Sequence, residues 1–238
     1  MYWALKELRH LGGICGVHCE NAGVIDGIIA EKKAAGLLGP SSHPESRPPY
    51  LEAEAVGRLL RIAQAADCPV VIVHLTNEEA LKEVEHARRR GQKVYVETCP
   101  QYLLLDESVY YNPDYSQAAR FVCAPPIREK ANQEALWRGL RRGEIQTIST
   151  DHCSFTLAQK DAGREDFTKI PGGLPGVETR GELIYSYGVA AKKITLAQMC
   201  RALCENPAKL YGLYPRKGVL APGSDADIVV YDPGDSHV

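Results

Sequence analysis

The sequence predicts an α/β protein in which strands and helices alternate along the chain. The first observation is a series of short apolar runs, each followed by residues with helical periodicity. The runs are apolar throughout, which is typical of parallel strands that are covered on both faces. Three of them end on a residue that can bind a metal or move a proton, namely His18, His74 and Asp151. Because the carboxyl ends of parallel strands meet at one edge of a sheet, we expect these three side chains to lie close together.

Each element is placed by the residues that begin and end it. Asn77 is a helix N-cap followed by acidic residues in the first turn, and Gly91 and Gly143 end helices. The expected strands cover 14–18, 70–75, 93–98, 145–150 and 228–231. The expected helices cover 1–10, 22–36, 52–66, 78–90, 132–142, 178–191 and 195–205. Residues 100–126 are expected to form a long loop or short helical turns. Residues 152–176, rich in Gly and Pro, are expected to form a loop that binds a ligand or covers a site.

Composition and charge limit the classes of function. The chain has 238 residues, of which 45% are hydrophobic and 24% charged, and this suits one α/β domain with at most a small appendage. Its net charge is −2, and its longest basic cluster, 88–90, is explained by a helix terminus, so no nucleic-acid partner is expected. No apolar stretch of about 18 residues predicts a membrane span. Eight cysteines without a signal peptide or a CxxC pair indicate reduced thiols in a cytoplasmic protein.

The residues at the three strand ends have the chemistry of a hydrolytic metal site. Neutral imidazoles such as His18 and His74 bind zinc and leave a position open for water, whose pKa then falls towards about 7. A carboxylate such as Asp151 can take a proton from that water and return it to a departing nitrogen. Hydrolysis of an unactivated amide needs both functions. Taken alone, the three residues would make a minimal mononuclear centre.

Other polar residues are given weaker interpretations. Glu20 and Glu97 lie on the same face and could hydrogen-bond to a metal-bound imidazole. His152 is expected to orient Asp151 or to cap the strand. Aromatic packing of a loop is preferred for Tyr102, Tyr110 and Tyr111 over a role in lining a pocket. No role is expected for His10, His43, His86 and His237.

Several motifs together resemble one enzyme family, the dihydropyrimidinase and hydantoinase branch of the amidohydrolase superfamily. The resemblance extends over nearly the whole chain. The motifs that carry it are Val17-His18-Cys19-Glu20-Asn21, Ser46-Arg47-Pro48-Pro49, Val73-His74-Leu75, Glu97-Thr98-Cys99-Pro100-Gln101-Tyr102, Pro125-Pro126-Ile127-Arg128, Ser149-Thr150-Asp151-His152-Cys153, Gly173-Leu174-Pro175-Gly176-Val177-Glu178 and Gly223-Ser224-Asp225-Ala226-Asp227.

The resemblance implies a fold and a reaction. Residues 1–217 would form strands five to eight of a metal-dependent (β/α)8 TIM barrel, and 218–238 would begin a small β-sandwich. His18 and His74 would bind one zinc ion of a binuclear centre, and Asp151 would bind the other and shuttle the proton. The reaction would hydrolyse the cyclic amide of a dihydropyrimidine or hydantoin to an N-carbamoyl amino acid. The complete family protein would be a homo-oligomer.

The chain also departs from the family pattern. The family usually has Ser at Ala124 and Asn at Gly173, two positions that contact the substrate largely through the main chain. The first-strand histidine pair and the carboxylated lysine that bridges both metals have no counterpart in this chain. Lys6 lies on the helix before the strand of His18, so it cannot replace that lysine. The sequence therefore resembles the C-terminal half of the family, and a separate N-terminal half is a possible partner.

Three alternatives stay open at this point. One is an allantoinase, a related cyclic amidohydrolase with similar metal ligands. Another is a truncated and inactive chain. The third is a non-enzymatic dihydropyrimidinase-like protein, although retention of His18, His74 and Asp151 argues against it because such relatives lose metal ligands.

Overall fold

A parallel four-stranded sheet organises the molecule, which is represented by a computed structural model that describes residues 1–232 and Gly234. The strands are β1 (Cys15–Val17), β2 (Val70–Ile72), β3 (Val94–Thr98) and β4 (Thr147–Ile148), and they lie side by side in chain order. Every adjacent pair is parallel, with Val17 opposite Ile72 and Thr98 opposite Ile148. Since β1 and β4 have a neighbour on one side only, the described sheet has two open edges.

Helices fill the connections between the strands. They are α1 (Tyr2–His10), α2 (Ala22–Ala34), α3 (Ser42–Glu45), α4 (Pro49–Ala66), α5 (Glu78–Arg89), α6 (Pro100–Leu104), α7 (Tyr115–Ala119), α8 (Ala131–Arg142), α9 (Leu157–Asp161), α10 (Arg180–Ile184), α11 (Leu196–Cys200) and α12 (Asn206–Leu210). Asn77 caps α5 by accepting a hydrogen bond from the backbone N–H of Ala80, and Gly143 ends α8 in a left-handed conformation. The order of the strands and of the principal helices is as the sequence predicts.

One apolar core joins the sheet to its covering helices. α4 packs against α1 and α5, and α5 packs against α8. All three residues of β2 are buried, which explains its uniformly apolar sequence. The buried side chains include Val56, Leu60, Val70, Ile72, Leu81, Val84, Val96, Leu136, Trp137 and Ile148.

The structure differs from the sequence prediction in four ways. β2 and β4 are shorter than predicted, because the chain enters a left-handed conformation at His74 and Asp151 soon after each strand. The last long helices contain π-helical segments at Tyr185–Ala190 and Arg201–Glu205. The predicted loops contain α6, α7 and α9 together with 3-10 turns at Glu107–Tyr111 and Phe167–Lys169. Finally, α12 was not predicted.

The predicted strand at 228–231 is not formed in the described part of the chain. Val229 and Val230 are 88% and 91% exposed and pair with no strand that the structure describes. An apolar run without a neighbouring strand cannot form a ladder of hydrogen bonds. The assignment of 218–238 to a small β-sandwich stays a prediction, and Pro233, 235–238 and the predicted inert His237 lie outside the described residues. Among the described residues, no helix has the length and apolarity needed to cross a membrane.

Candidate functional site

The ends of β1 and β2 bring two histidines into contact. Val17 and Ile72 are opposite each other in the sheet, so the chain leaves both strands at the same level. Nδ1 of His18 lies 3.0 Å from Nε2 of His74, and the two ring centroids are 4.8 Å apart. In a tetrahedral zinc site, two imidazole nitrogens are separated by roughly 3.3 Å. The predicted pairing of these histidines is therefore present, and its spacing fits a single metal ion.

His74 is held in an unusual environment for a polar side chain. Its φ is 41°, a left-handed conformation that is uncommon outside glycine, and the residue is only 6% exposed. Burial is the main cause that lowers its pKa, and the neighbouring His18 lowers it further, so the ring is held in its neutral form. Its Nδ1 is buried without a hydrogen-bond partner among the described residues. A neutral imidazole is suited to bind a metal ion, and the nitrogen that faces His18 is Nε2, whereas Nδ1 lies on the other side of the ring.

A carboxylate and a guanidinium support His18 from the other side. Nε2 of His18 lies 3.0 Å from Oε2 of Glu20, and the same oxygen accepts a 2.7 Å hydrogen bond from Nη1 of Arg47. Burial alone would raise the pKa of Glu20, but its hydrogen bond to His18 and the charge of Arg47 outweigh burial and lower the pKa. Glu20 thus fixes the orientation of the His18 ring as a carboxylate, which agrees with the prediction that it partners an imidazole.

Asp151 lies at the end of β4 on the same edge of the sheet. Its φ is 47°, so two of the three predicted strand-end residues have left-handed backbone. The Asp151 side chain is exposed, and its charge acts on both His74 and Glu97. Burial raises the pKa of Glu97 and Asp151 adds to the rise, while hydrogen bonds from Ser149 and the His74 backbone oppose it. Glu97 was predicted to hydrogen-bond to an imidazole; in the structure it accepts a hydrogen bond from the backbone of His74.

Within the described part of the chain, no group of three or more His, Cys, Asp or Glu side chains is arranged to hold a metal ion. His18 and His74 fit one ion as a pair, and Asp151 lies outside that pair. The complete set of ligands that the sequence prediction requires is not assembled by these residues alone.

A buried polar network lies directly behind this edge of the sheet. Glu52, which is 2% exposed, accepts hydrogen bonds from the Thr76 backbone at 2.9 Å, from Nδ2 of Asn77 at 2.8 Å and from Nη2 of Arg128 at 2.9 Å. Arg128 also donates to Oγ1 of Thr76 at 2.9 Å and to the carbonyl of Arg47. This network, which we call the scaffold network (Glu52, Thr76, Asn77 and Arg128), fixes the chain just after His74.

The segment that contains Ala124 is anchored on both sides. The Cys123 carbonyl accepts a 2.7 Å hydrogen bond from Nε2 of His43, and the Pro125 carbonyl accepts one of 2.9 Å from the Tyr102 hydroxyl. The Tyr110 hydroxyl accepts a 2.9 Å bond from the Ile127 backbone N–H. No hydrogen bond to the Ala124 N–H or C=O is found among the described residues. Its peptide groups are therefore free to contact a ligand, as the prediction of a main-chain contact at Ala124 requires.

The structure locates space for a side chain at Gly172 rather than at Gly173. Gly173 has φ of 136°, and an added Cβ would lie 2.5 Å from both Cβ and Sγ of Cys153. At Gly172 an added Cβ would make only ordinary contacts, the nearest being the Ala124 backbone nitrogen at 3.9 Å. A family asparagine is thus sterically compatible with 172 and not with Gly173, whose N–H and carbonyl bond to Val122 and Lys160, and a substrate contact at Gly173 stays a prediction.

Four histidine and tyrosine predictions have clear outcomes. His43 is 7% exposed and bonded to Cys123, so the prediction that it has no role is wrong; its short helix α3 is buried rather than solvated. His152 does not orient Asp151. Instead, its Nδ1 accepts hydrogen bonds from the backbone of Gly176 at 3.1 Å and Val177 at 3.3 Å. Tyr102 and Tyr110 pack and anchor a loop, as expected, whereas His10, His86 and Tyr111 are exposed.

Sequence reasoning missed the roles of Arg47, Glu52, Arg128 and Lys160. Arg47 and Arg128 occur within motifs of the family resemblance, but nothing local marks Glu52 and Arg128 as partners, since they are 76 positions apart. Lys160 lies in a segment predicted as a loop, and it is 4% exposed. The one signal in the sequence was the presence of a charged residue on a face that is otherwise apolar. Hydrophobic periodicity alone does not show what such a residue binds.

Comparisons with known proteins agree with this geometry. A family model described as the amidohydrolase family matches residues 22–237. A D-hydantoinase from Streptomyces coelicolor is 45% identical over 231 residues, which are 97% of this chain and 49% of that protein. A D-hydantoinase from Geobacillus stearothermophilus is 42% identical over 98% of this chain and 50% of its own length. The chain spans about half the length of the curated relatives that it matches.

Solved structures show the same relationship in three dimensions. The D-hydantoinase (dihydropyrimidinase) from a Thermus species superposes with a TM-score of 0.95 at 39% identity, covering 98% of this chain and 50% of that one. The dihydropyrimidinase from Brevibacillus agri gives a TM-score of 0.93 at 42% identity, covering 94% of this chain and 49% of that one. The parallel sheet with its helices is thus about half of the TIM-barrel fold of these proteins.

Proposed function

This chain belongs to the amidohydrolase family, and we propose that it supplies the C-terminal half of a metal-dependent enzyme that hydrolyses the cyclic amide bond of hydantoins or dihydropyrimidines. The product would be an N-carbamoyl amino acid. Relatives named as D-hydantoinase and dihydropyrimidinase support this substrate class. The amidohydrolase family is generally metal-dependent, and zinc is the metal that we propose.

The observation that carries this proposal is the contact between two imidazoles at adjacent strand ends. His18 and His74 come from positions 56 apart in sequence, and their ring nitrogens lie 3.0 Å apart. A single ion between the two rings would be held by Nδ1 of His18 and Nε2 of His74, the nitrogens that face each other. Holding this arrangement also requires left-handed backbone at His74, and such backbone concentrates at functional sites.

The proposed chemistry gives each residue a task. When bound, the metal would lower the pKa of water and polarise the carbonyl of the scissile amide. His18 and His74 would hold one ion, with the His18 ring kept in place by Glu20 and Arg47. Asp151, exposed at the neighbouring strand end, would hold the second ion and move a proton to the departing nitrogen. The free peptide groups of Ala124 would contact the substrate ring. At Gly173, whose N–H bonds to Val122, the second lone pair of the carbonyl oxygen would do so.

Completion of the site calls for a second half of the barrel. The described sheet has open edges at β1 and β4, and closure of a TIM barrel needs eight strands. The described residues assemble no group of three metal ligands, although a hydrolytic zinc site needs at least three protein ligands. We therefore propose that the missing strands and ligands come from a complementary N-terminal half.

Co-expression with a complementary half tests this function. The chain is purified alone and together with the N-terminal half of the Streptomyces coelicolor D-hydantoinase, and zinc content and hydrolysis of hydantoin, dihydrouracil and allantoin are measured. We expect stoichiometric zinc and hydantoin or dihydrouracil turnover for the pair, and neither for the chain alone. Turnover of allantoin alone would favour an allantoinase. A metal-loaded pair without turnover on any substrate would contradict the proposed activity.

Histidine variants provide the matched control. His18→Asn and His74→Asn are expected to abolish zinc retention by the pair, whereas His86→Asn, at an exposed position on α5, leaves it unchanged. Equal zinc content in all three variants would show that the histidine pair is not the metal site.

A further inference from the structure

Lys160 is a buried cation that binds three backbone carbonyl groups. It lies on α9 and is 4% exposed. Its Nζ donates hydrogen bonds to the carbonyl oxygens of Val122 at 2.7 Å, Pro171 at 2.6 Å and Gly173 at 2.8 Å. An ammonium group has three N–H donors, so these three acceptors use its full capacity. Among the described residues it has no ion-pair partner; the nearest aromatic ring is that of Phe155, at 5.6 Å.

The three carbonyls belong to two segments that are far apart in sequence. Val122 immediately precedes the anchored stretch that presents the free peptide groups of Ala124. Pro171 and Gly173 belong to the Gly/Pro-rich loop after β4. The two segments also meet directly, since the Gly173 N–H donates to the Val122 carbonyl at 2.9 Å. Lys160 and this backbone bond therefore hold the two segments at one fixed separation.

We propose that Lys160 is a positioning residue that sets the distance between the Val122–Ala124 and Pro171–Gly173 segments, and thereby the two main-chain surfaces that grip the substrate ring. This proposal rests on the proposed function for the identity of the substrate. The clamp itself, defined as Lys160 with the Val122, Pro171 and Gly173 carbonyls, rests on geometry alone. Lys160 contacts neither the metal-binding histidines nor the reacting atoms.

The buried charge makes the clamp sensitive to pH. Burial lowers the pKa of Lys160 to about 8, and the neighbouring thiols of Cys123 and Cys153 act in the opposite direction. Above that pH the amine is neutral and has two N–H donors for three carbonyls. The buried site nevertheless favours the neutral amine, so between pH 8 and 10.5 any opening that exposes Lys160 takes up a proton. Both the closed clamp and the folded chain therefore gain stability as pH rises.

Amide hydrogen exchange on the purified chain tests the clamp between pH 6.5 and 9.5. In the wild type, the protection factor of the Gly173 amide is expected to rise about tenfold or more at the upper end, because an opening that exposes Lys160 must take up a proton. Deprotonation of Lys160 should not lower the urea midpoint of the chain over the same pH range. Lys160→Met is expected to show low Gly173 protection at every pH, whereas Lys169→Met, at an exposed position, behaves as wild type. Gly173 protection that is unaffected by pH and by Lys160→Met would overturn the clamp.

Kinetics of the co-expressed pair test the positioning role. Lys160→Met is expected to raise KM for hydantoin by roughly tenfold or more, with kcat and zinc content changed far less. Lys160→Arg, which keeps the charge and donors, should restore part of the loss. Unchanged KM with altered Gly173 exchange would show that Lys160 only stabilises the loop. An inactive wild-type pair would overturn the proposed function and the substrate part of this inference. Amide hydrogen exchange at Gly173 would still decide whether the clamp exists. If Lys160→Met fails to fold, the exchange of the wild type across the pH series decides that question.

Discussion

Two neighbouring polar regions of this molecule satisfy their hydrogen bonds to different extents. The strand-end site (His18, Glu20, Arg47, His74 and Asp151) contains three buried polar atoms that have no hydrogen-bond partner in the described part of the chain, namely Oε1 of Glu20, Nε of Arg47 and Nδ1 of His74. The scaffold network has no such atom, and the Glu52 carboxylate accepts bonds from three different residues. Left-handed backbone also occurs at His74 and Asp151 in the first region.

The contrast separates the polar groups that stabilise the fold, in the scaffold network, from those at the strand-end site that are left to bind another group. Buried polar groups in native proteins are nearly always paired, so an unpaired cluster needs an explanation. At the strand-end site the proposed complementary barrel half provides one. The scaffold network needs no ligand, and it fixes the chain directly after His74. The strand-end site thus has left-handed backbone and unsatisfied polar groups, and the scaffold network beside it, whose hydrogen bonds are satisfied, holds it in place.

Breaking the scaffold network should have the largest effect on stability. Arg128→Met leaves the Glu52 carboxylate buried without its cation, since both side chains are at most 6% exposed. We expect a loss of about 3–5 kcal/mol in the free energy of unfolding, measured by urea denaturation. Arg58→Met removes an exposed ion pair with Glu54 on the same helix and should cost no more than about 0.5 kcal/mol. Equal losses would remove the distinction between the two kinds of pair.

Acid should destabilise the fold at His43, because protonation would place a charge on a buried ring beside Arg47. Burial, followed by the charge of Arg47, lowers its pKa from 6.5 to about 4. Between these pH values the unfolded chain binds a proton that the folded chain does not, so stability falls as pH falls. The contribution of this one residue is about 3 kcal/mol. In His43→Gln, which can still donate to the Cys123 carbonyl, urea midpoints between pH 6.5 and 4 should therefore fall less steeply.

His86→Gln, at an exposed histidine, is the control for this pH series and should keep the acid sensitivity of the wild type. An unchanged slope in His43→Gln would show that another group, such as His74 with its lowered pKa, accounts for the acid sensitivity.

Gly172 and Gly173 are adjacent in the chain, but only Gly173 has a backbone conformation and surroundings that exclude a side chain. Gly173→Ala places a Cβ at φ of 136° and 2.5 Å from Cys153, so we expect a loss of about 1–3 kcal/mol in thermal or urea unfolding. Gly172→Ala meets no close contact and should change stability by less than about 0.5 kcal/mol. A larger loss at Gly172 than at Gly173 would show that Gly172 is the more constrained of the two positions.

The smallest expected effect concerns the support of the His18 ring. Glu20→Gln removes the charge that pairs with His18 and Arg47 but keeps the size of the side chain. In the co-expressed pair, zinc affinity measured by competition titration should fall by roughly tenfold, as for other residues that orient metal ligands. Glu54→Gln, on the surface of α4, should not change it. Unchanged affinity in Glu20→Gln would mean that the strand-end site is organised without this carboxylate.

Much of the fold follows from local patterns. The positions of the four strands and of the principal helices, and the approach of His18 to His74, were predicted from apolar runs, caps and the polar residues that end them. Helix and strand periodicity depend on near neighbours in the chain, so a single sequence records them. The resemblance to a family added the half-barrel and the substrate class.

The pairings across the chain were decided by tertiary structure. Nothing near Glu52 marks Arg128 as its partner. Lys160 on α9 and His43 on α3 are polar residues of the kind usually found at the surface, and they are buried only because other elements cover them. The same holds for the strand ends: left-handed backbone at His74 and Asp151 shortens β2 and β4, which their apolar sequences do not reveal. Burial and long-range hydrogen bonds depend on which segments meet, so the sequence determined the elements and the metal-binding residue types, whereas the three-dimensional contacts determined which polar groups are satisfied.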